Sequence, residues 1–136
     1  MTKYYVDTCI WLNLLHREQE RVQGMSVWKI AEQFFTQYKS TIVISNRVIK
    51  EIVSKNGREG QLKEIMKDVE IISVTPEEYS LAQEIESMEK YTLSFYDCIH
   101  LAICKKRNFV LITRDRELID KGNIYVLTIK PESIIY

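Results

Sequence analysis

Glycine and proline are scarce in this chain, and so are the features that divide a protein into parts. Its 136 residues include four Gly and two Pro, with no low-complexity tract and no internal repeat. The sequence therefore offers no linker at which two domains could be separated. With 46% hydrophobic residues, the chain can bury one core, and we expect a single domain over residues 1–136.

Net charge and paired cysteines are also lacking. The 19 Lys and Arg residues balance 19 Asp and Glu residues, so any nucleic acid must be bound by a local basic patch. Cys9, Cys98 and Cys104 are odd in number and lack paired spacing, and the sequence has no signal-like or membrane-spanning apolar run. These absences predict a reduced, soluble, cytoplasmic protein without a membrane partner.

Five short β-rich runs alternate with helical patterns. The runs lie at 4–6, 41–44, 70–74, 109–112 and 124–127, and several are continuously apolar, which suits strands covered on both faces. The helical patterns lie at roughly 9–16, 22–38, 47–55, 58–67, 95–106 and 116–121, and Thr75-Pro76-Glu77-Glu78 is typical of a further helix start. This alternation predicts an α/β fold, with a parallel sheet between layers of helices.

Two acidic residues come just after predicted strands. Asp7 follows the first strand directly, and two residues separate Asp115 from the end of the fourth. Because ligands of open parallel sheets bind at the carboxyl ends of the strands, both residues should reach one rim. Each can also be explained as the N-cap of the next helix, since a short carboxylate accepts bonds from unpaired N–H groups.

The other two candidate acids, Asp97 and Glu51, lie on predicted helices. The helix of Asp97 is apolar on nearly every side, so this carboxylate needs a cation or good hydrogen-bond donors. Its first turn, Ser94-Phe95-Tyr96-Asp97, also resembles a capping box. Glu51 lies on the flank of an apolar stripe, where periodicity does not separate a ligand from a surface Glu.

Taken together, the four acids predict a metal site. Four carboxylates at one rim would repel one another and raise one another's pKa unless a divalent cation bound them. Hard oxygen ligands favour Mg²⁺ or Mn²⁺ over Zn²⁺. The softer alternative is a Zn²⁺ site built from Cys9, Cys98, His100 and Asp7, but the cysteine spacing fits no known zinc arrangement. His100 is better explained as a packed residue or as one that supports a metal ligand.

Four segments, in this order, resemble the PIN-domain nucleases. They are Tyr5-Val6-Asp7-Thr8, Ile44-Ser45 followed six residues later by Glu51, Leu93-Ser94-Phe95-Tyr96-Asp97-Cys98-Ile99-His100-Leu101-Ala102, and Leu111-Ile112-Thr113-Arg114-Asp115. Within that family, the chain is similar over essentially its whole length to the small VapC-like toxin ribonucleases of VapBC toxin–antitoxin systems. Cys9 and Cys98 depart from the small polar residue and the Ala that are usual at these positions.

The resemblance implies a three-layer α/β/α fold with a five-stranded parallel sheet, and an acidic pocket that holds Mg²⁺ or Mn²⁺ and cleaves single-stranded or looped RNA. The catalytic and metal-binding acids that it implies are Asp7, Glu51, Asp97 and Asp115. The supporting residues that it implies are Thr8, Ser45, Thr113 and Glu117. It further implies a VapB-like antitoxin and a homodimer, to which Trp11, Trp28 and Phe34 could contribute unless they belong to the core.

Basic residues flank two of the acids. Arg47 and Lys50 precede Glu51, and Arg114 and Arg116 flank Asp115. They could contact substrate phosphates without any net positive charge, or they could form an ordinary solvated face. Two other functions are compatible with the residues: a PIN-like scaffold that binds RNA or a protein without cutting, and a receiver-type signalling domain with its own acidic pocket.

Overall fold

The computed structural model describes residues 1–56 and 59–136. The strands are β1 (Tyr4–Val6), β2 (Arg21–Val22), β3 (Met25–Ser26), β4 (Ile42–Ser45), β5 (Glu70–Ile72), β6 (Val110–Ile112) and β7 (Thr128–Ile129). The helices are α1 (Thr8–Leu15), α2 (Val27–Gln37), α3 (Asn46–Asn56), α4 (Glu59–Ile65), α5 (Pro76–Met88), α6 (Phe95–Arg107) and α7 (Arg116–Gly122). Short 3₁₀ turns lie at Lys39–Thr41 and Pro131–Ser133.

The predicted α/β fold is confirmed. Five parallel strands form one sheet in the order β5-β4-β1-β6-β7, and helices cover it in a three-layer α/β/α arrangement. The central strand, β1, carries Tyr5 and Val6 with no exposed side-chain surface. The chain first extends the sheet on one side of β1 and then on the other, so the strand order reverses beside β1.

The helix expected over 22–38 begins later than its apolar stripe suggested. Val22 and Met25 pair in the antiparallel hairpin of β2 and β3, and the helix starts at Val27. The hairpin turns at Gln23 and Gly24, both of which have positive φ, the backbone that a two-residue hairpin turn requires. The first part of the helical prediction was therefore wrong because a local turn took precedence over the three-and-four spacing.

The fifth strand lies at Thr128–Ile129 and not at the expected 124–127. The backbone N–H groups of Tyr125 and Val126 donate to the carbonyl of Gly122 at 2.9 and 3.1 Å, so this segment turns tightly after α7. Asn123 then closes the turn by accepting from the N–H of Thr128 and donating to its carbonyl. The strand predicted at 124–127 was wrong although the run is apolar. Ile124 is 73% exposed, and the strand paired with β6 begins at Thr128.

The other predicted elements are found with small shifts at their ends. The strands expected at 41–44 and 109–112 each begin one residue later, and the one expected at 70–74 ends at Ile72. Residue 58, where one helix was expected to begin, lies outside the described residues. The capping box is confirmed: the Thr75 hydroxyl accepts from the N–H of Glu78, and the Glu78 carboxylate accepts from the N–H of Thr75.

The core explains two of the three aromatic residues considered for a dimer contact. Trp11 and Phe34 are fully buried, so the self-contact interpretation is wrong for them and core packing is right. Trp28 is partly exposed, with the cationic groups of Arg17 and Lys29 near its ring. Within residues 1–56 and 59–136, no helix has the length and apolar character that crossing a membrane requires.

Candidate functional site

The carboxyl ends of β1 and β6 open into a cleft of about 660 Å³. It lies where the strand order reverses, which is where open parallel sheets bind ligands. The cleft is lined by all four candidate acids, namely Asp7, Glu51, Asp97 and Asp115. The fold thus brings to one place four carboxylates that are far apart in sequence.

Asp7 is the most enclosed of these acids, with 8% of its surface exposed. Its Oδ1 accepts a hydrogen bond from the backbone N–H of Thr8 at 2.8 Å, and its Oδ2 accepts the Thr113 hydroxyl at 2.7 Å. Asp7 is also the N-cap of α1. The capping interpretation and the site interpretation therefore apply to the same side chain.

Asp115 occupies the equivalent place after β6. It is the N-cap of α7, where its Oδ1 accepts from the N–H groups of Glu117 and Leu118 at 3.0 and 3.2 Å. Its own N–H donates to the Thr113 hydroxyl at 3.1 Å. Since that hydroxyl also bonds Asp7, the fully buried Thr113 links the two Asp residues.

Asp97 lies in the first turn of α6, and its N–H donates to the Ser94 hydroxyl at 3.1 Å. The helix continues into a completely buried run, 98–104, so the carboxylate is partly enclosed by apolar surface. Burial raises the pKa of Asp97 above its usual value, and the negative charge of Asp7 raises it further. The protein therefore holds this carboxylate in an environment that a cation would relieve.

Glu51 faces the same cleft from α3. Its Oε2 accepts the Thr8 hydroxyl at 3.0 Å, and its Oε1 forms an ion pair with Lys55 Nζ at 3.1 Å, one helical turn away. The Glu51 side chain is 24% exposed. The hydrogen bond from Thr8 ties α3 to α1 at the cleft.

The donor set has the chemistry of a hard-cation site. Carboxylate and hydroxyl oxygens are the ligands that Mg²⁺ and Mn²⁺ prefer, and the charges of Asp7 and Asp115 both act on Asp97. Across the described residues, no three His, Cys, Asp or Glu side chains already stand together as a ready-made metal cluster. The cleft thus has suitable donors in an open arrangement.

The supporting residues expected from the sequence fall into two groups. Thr8 and Thr113 contact the acids directly, as described above. The Ser45 hydroxyl instead lies 2.7 Å from the Tyr5 hydroxyl and accepts from the N–H of Val48 at 3.2 Å. Glu117 is exposed and pairs with Lys121 at 2.8 Å on α7, and it is not among the residues lining the cleft.

The four basic residues expected to contact phosphates also fall into two groups. Arg114 and Arg116 line the cleft, and Arg114 is anchored by Glu132 at 2.9 Å. Arg47 and Lys50 are not lining residues: the Arg47 guanidinium lies 4.8 Å from the centre of the Tyr96 ring, and Lys50 is exposed. Two lysines that the sequence did not single out, Lys55 and Lys130, also line the cleft.

Sequence reasoning predicted a packed or supporting role for His100 but missed the buried polar chain that it forms behind Asp7. His100 is 1% exposed, its Nδ1 lies 2.8 Å from the Tyr5 hydroxyl, and its Nε2 lies 3.5 Å from Asp7 Oδ1. The available signals were a hydroxyl inside an apolar strand and an imidazole on an apolar helix. Neither signal could show that the two side chains meet, because 95 positions separate them.

The softer Zn²⁺ alternative is not supported by the thiols. Cys98 is fully buried in the core, and burial and the charge of Glu86 raise its pKa to about 12. Cys9 Sγ lies 3.5 Å from Asp7 Oδ2, and burial and the Asp7 charge raise the pKa of Cys9 to about 12. Cys98 is not among the residues lining the cleft, so it does not share a site with Cys9, His100 and Asp7.

Several solved structures have a fold similar to that of this chain. A toxin–antitoxin complex from Klebsiella pneumoniae gives a TM-score of 0.71 at 19% identity, covering 95% of this chain and 98% of that one. DNA-bound VapBC from Salmonella typhimurium gives 0.73 at 12% identity, covering 96% and 99%. VapBC2 from Rickettsia felis, bound to a promoter DNA fragment, gives 0.68 at 16% identity, covering 93% and 97%.

At the level of sequence, no curated protein gives a match. The sequence model described as "PIN domain" does match, over residues 4–123. This match spans most of the sheet and all four acids of the cleft, and it excludes the receiver-type alternative. The chain therefore belongs to the PIN-domain family.

Proposed function

We propose that this protein is an Mg²⁺- or Mn²⁺-dependent endoribonuclease that hydrolyses phosphodiester bonds in single-stranded or looped RNA. The observation that carries the proposal is the convergence of Asp7, Glu51, Asp97 and Asp115 on one cleft at the switch point of the sheet. Membership of the PIN-domain family supports the same function. The raised pKa of Asp97, caused by burial and by the Asp7 charge, supports the proposal, because a bound cation would offset both effects.

Asp7 and Asp97 are the best candidates for direct metal ligands. Asp7 is held by donors from α1 and from the end of β6, so its oxygens are fixed in place, and Asp97 faces it from the first turn of α6. Asp115 and Glu51 complete the set, directly or through water. A bound divalent ion supplies Lewis-acid chemistry, which activates water and stabilises the charge on the phosphate.

The chain's own residues would then bind and orient the RNA. Arg116 and Lys130 line the cleft beside the acids and can contact phosphates, and Lys55 lines it while paired with Glu51. Arg114 also lines the cleft, but its ion pair with Glu132 fixes its position. This local basic lining replaces the net positive charge that the chain lacks.

We further propose that the nuclease is a toxin restrained by a VapB-like antitoxin, and that it works as a homodimer in the cytoplasm. Support comes from the solved structures of similar fold, which include toxin–antitoxin complexes from Klebsiella pneumoniae and Salmonella typhimurium. The three cysteines are free thiols, in keeping with a reducing compartment.

A non-catalytic PIN-like scaffold is the second candidate, and one observation favours it. The described side chains do not already form a three-ligand cluster, while Glu51 is paired with Lys55 and Asp115 caps α7. In such a scaffold Glu51 and Asp115 would keep these contacts, because no metal ion would replace them.

Thermal unfolding with and without Mn²⁺ separates the two candidates. A ligand that binds only the native state at 100 times its Kd stabilises that state by about 2.7 kcal/mol, which raises Tm by several degrees. We expect this rise with millimolar Mn²⁺, and we expect it to be lost in Asp97→Asn. An unchanged Tm in the wild-type protein would favour the scaffold.

A further inference from the structure

A continuous chain of buried polar groups runs behind the acidic cleft. It begins at the N–H of Val48 in α3 and passes through the hydroxyls of Ser45 and Tyr5 to the imidazole of His100, which lies beside Asp7. Ser45, Tyr5 and His100 are each at most 1% exposed. Buried polar groups of this kind are nearly always hydrogen-bonded, and here the partners are the neighbouring side chains.

The direction of the hydrogen bonds can be worked out from one end. Ser45 Oγ accepts from the N–H of Val48 at 3.2 Å, and its other contact within the described chain is the Tyr5 hydroxyl at 2.7 Å. The Ser45 proton is therefore donated to the Tyr5 oxygen. A phenol keeps its proton at neutral pH, so the Tyr5 hydroxyl has a proton of its own to donate.

The proton of the Tyr5 hydroxyl then has one acceptor left. Tyr5 donates it to His100 Nδ1 at 2.8 Å, so Nδ1 is the accepting nitrogen and the imidazole proton resides on Nε2. Nε2 is the atom that faces Asp7 Oδ1 at 3.5 Å. The opposite direction would leave the Ser45 proton without an acceptor among the described groups and would turn an Nε2 lone pair towards a carboxylate oxygen.

We propose that His100 is a positioning residue for Asp7, with its Nε2–H kept directed at Oδ1 by the Ser45–Tyr5 chain. This inference rests on the proposed function, in which Asp7 is a metal ligand. The separation of 3.5 Å is longer than a good N–H···O bond, so the Nε2–H group attracts the carboxylate weakly and leaves the oxygen unsaturated. Oδ1 keeps capacity for a cation while it accepts from Thr8.

The tautomer can be read directly in the metal-free protein. The chain has two histidines, so ¹⁵N-histidine labelling gives two imidazole patterns, and the more exposed His16 serves as the internal reference. We expect His100 to show a protonated Nε2 and an unprotonated Nδ1, and we expect Tyr5→Phe to disturb this pattern. Tyr4→Phe, which removes a hydroxyl from the same strand, should leave it unchanged. A protonated Nδ1 with an unprotonated Nε2 in the wild-type protein would overturn the inference.

The positioning role is tested by Mn²⁺ affinity, measured by calorimetry. Removing a residue that orients a metal ligand costs about tenfold or more in affinity. His100→Leu should therefore raise the Kd for Mn²⁺ about tenfold, and His100→Gln, which keeps an N–H donor, should recover most of the loss. Equal Kd values for wild type and for a folded His100→Leu would refute the role. If the wild-type protein bound no Mn²⁺, the nuclease proposal would fail, whereas the tautomer pattern would still decide the hydrogen-bond direction.

Discussion

The hydroxyl of Thr113 donates to Oδ2 of Asp7 at 2.7 Å and so joins the carboxyl end of β6 to that of β1. The two strands are neighbours in the sheet, paired from Tyr4 with Val110 to Val6 with Ile112. One fully buried side chain thus fixes the orientation of the most enclosed acid of the cleft.

We predict that Thr113→Val lowers Mn²⁺-dependent RNA cleavage by about 10- to 100-fold, the usual effect of removing a hydrogen-bond partner of a metal ligand. Valine keeps the shape but leaves the Asp7 oxygen and the N–H of Asp115 without this partner, so we also expect a stability loss of about 1–3 kcal/mol. The matched control is Thr113→Ser, which keeps the hydroxyl. Similar loss of activity in both variants would show that packing of the methyl group, and not the hydrogen bond, matters.

We predict that Asp97→Asn makes the metal-free protein more stable at pH 7. The pKa of Asp97 is raised in the folded state by burial and by the Asp7 charge, whereas an unfolded Asp titrates near about 3.9. The native protein therefore binds this proton more tightly, and its stability falls as pH rises from about 3.9 through the raised native pKa.

The check is a series of Tm values from acidic to mildly alkaline pH in the presence of a chelator. The variant should melt at a higher temperature than wild type at neutral pH, and the difference should shrink towards the acidic end, where wild-type Asp97 is protonated. A variant that is less stable than wild type at neutral pH would contradict the electrostatic description of the cleft.

We predict that Arg107→Ala destabilises the protein by about 3 kcal/mol, because it leaves a buried carboxylate without its cation. Arg107 donates to both oxygens of Glu78 at 2.7 and 3.0 Å, and Glu78 is 2% exposed. This pair joins α5 to α6, the helix that carries Asp97. Urea unfolding measures the loss, and the double variant Arg107→Met/Glu78→Gln should recover part of it. Equal losses in the single and double variants would argue against a buried-charge mechanism.

The ion pair of Arg107 and Glu78 should also account for part of the loss of stability at acidic pH. Burial alone would raise the pKa of Glu78, but the hydrogen bonds from Arg107 and from the N–H of Thr75 hold it below its usual value. A lowered native pKa gives stability that is present above the unfolded pKa of about 4.3 and is lost as pH falls further. In Glu78→Gln the slope of stability against pH below about 4 should be smaller than in wild type.

We predict that the native thiols are nearly inert to iodoacetamide at mildly alkaline pH. The reactive form is the thiolate, and the pKa of partly exposed Cys9 is raised to about 12 by burial and by the Asp7 charge. Mass spectrometry should show full alkylation in denaturant and almost none in the folded protein. Rapid labelling of Cys9 in the native state would mean that the thiol is available as a soft ligand, and would reopen the Zn²⁺ alternative.

Much of the fold could be predicted from sequence because its signals are local. Apolar runs and capping residues such as Thr75 determine where strands and helices begin, and the alternation of the two implies a parallel sheet. The predictions failed at Gln23-Gly24 and at 124–127, where a tight turn and the side chain of Asn123 decided the backbone against the apolar pattern. Local turn chemistry was the competing effect in both cases.

The cleft was predictable in outline for a different reason. Strand ends converge on one rim by topology, so the positions of Asp7 and Asp115 in the sequence are enough to bring them together. The pairing of Tyr5 with His100 could not be predicted, because no short-range pattern relates a residue on β1 to one on α6. Glu117, although close in sequence to Asp115, turns to Lys121 on its own helix, an i,i+4 pair that sequence alone permits but does not select.

Cleavage of a labelled single-stranded RNA with Mn²⁺, compared with excess chelator, tests the central claim most directly. Wild-type protein should cut with Mn²⁺ and not with chelator, and Asp7→Asn should lose at least about 100-fold, which corresponds to about 3 kcal/mol of transition-state stabilisation. The folded state of the variant is checked by its thermal unfolding. Cleavage that persists in chelator, or full activity in a folded Asp7→Asn protein, would contradict a nuclease site built on these carboxylates.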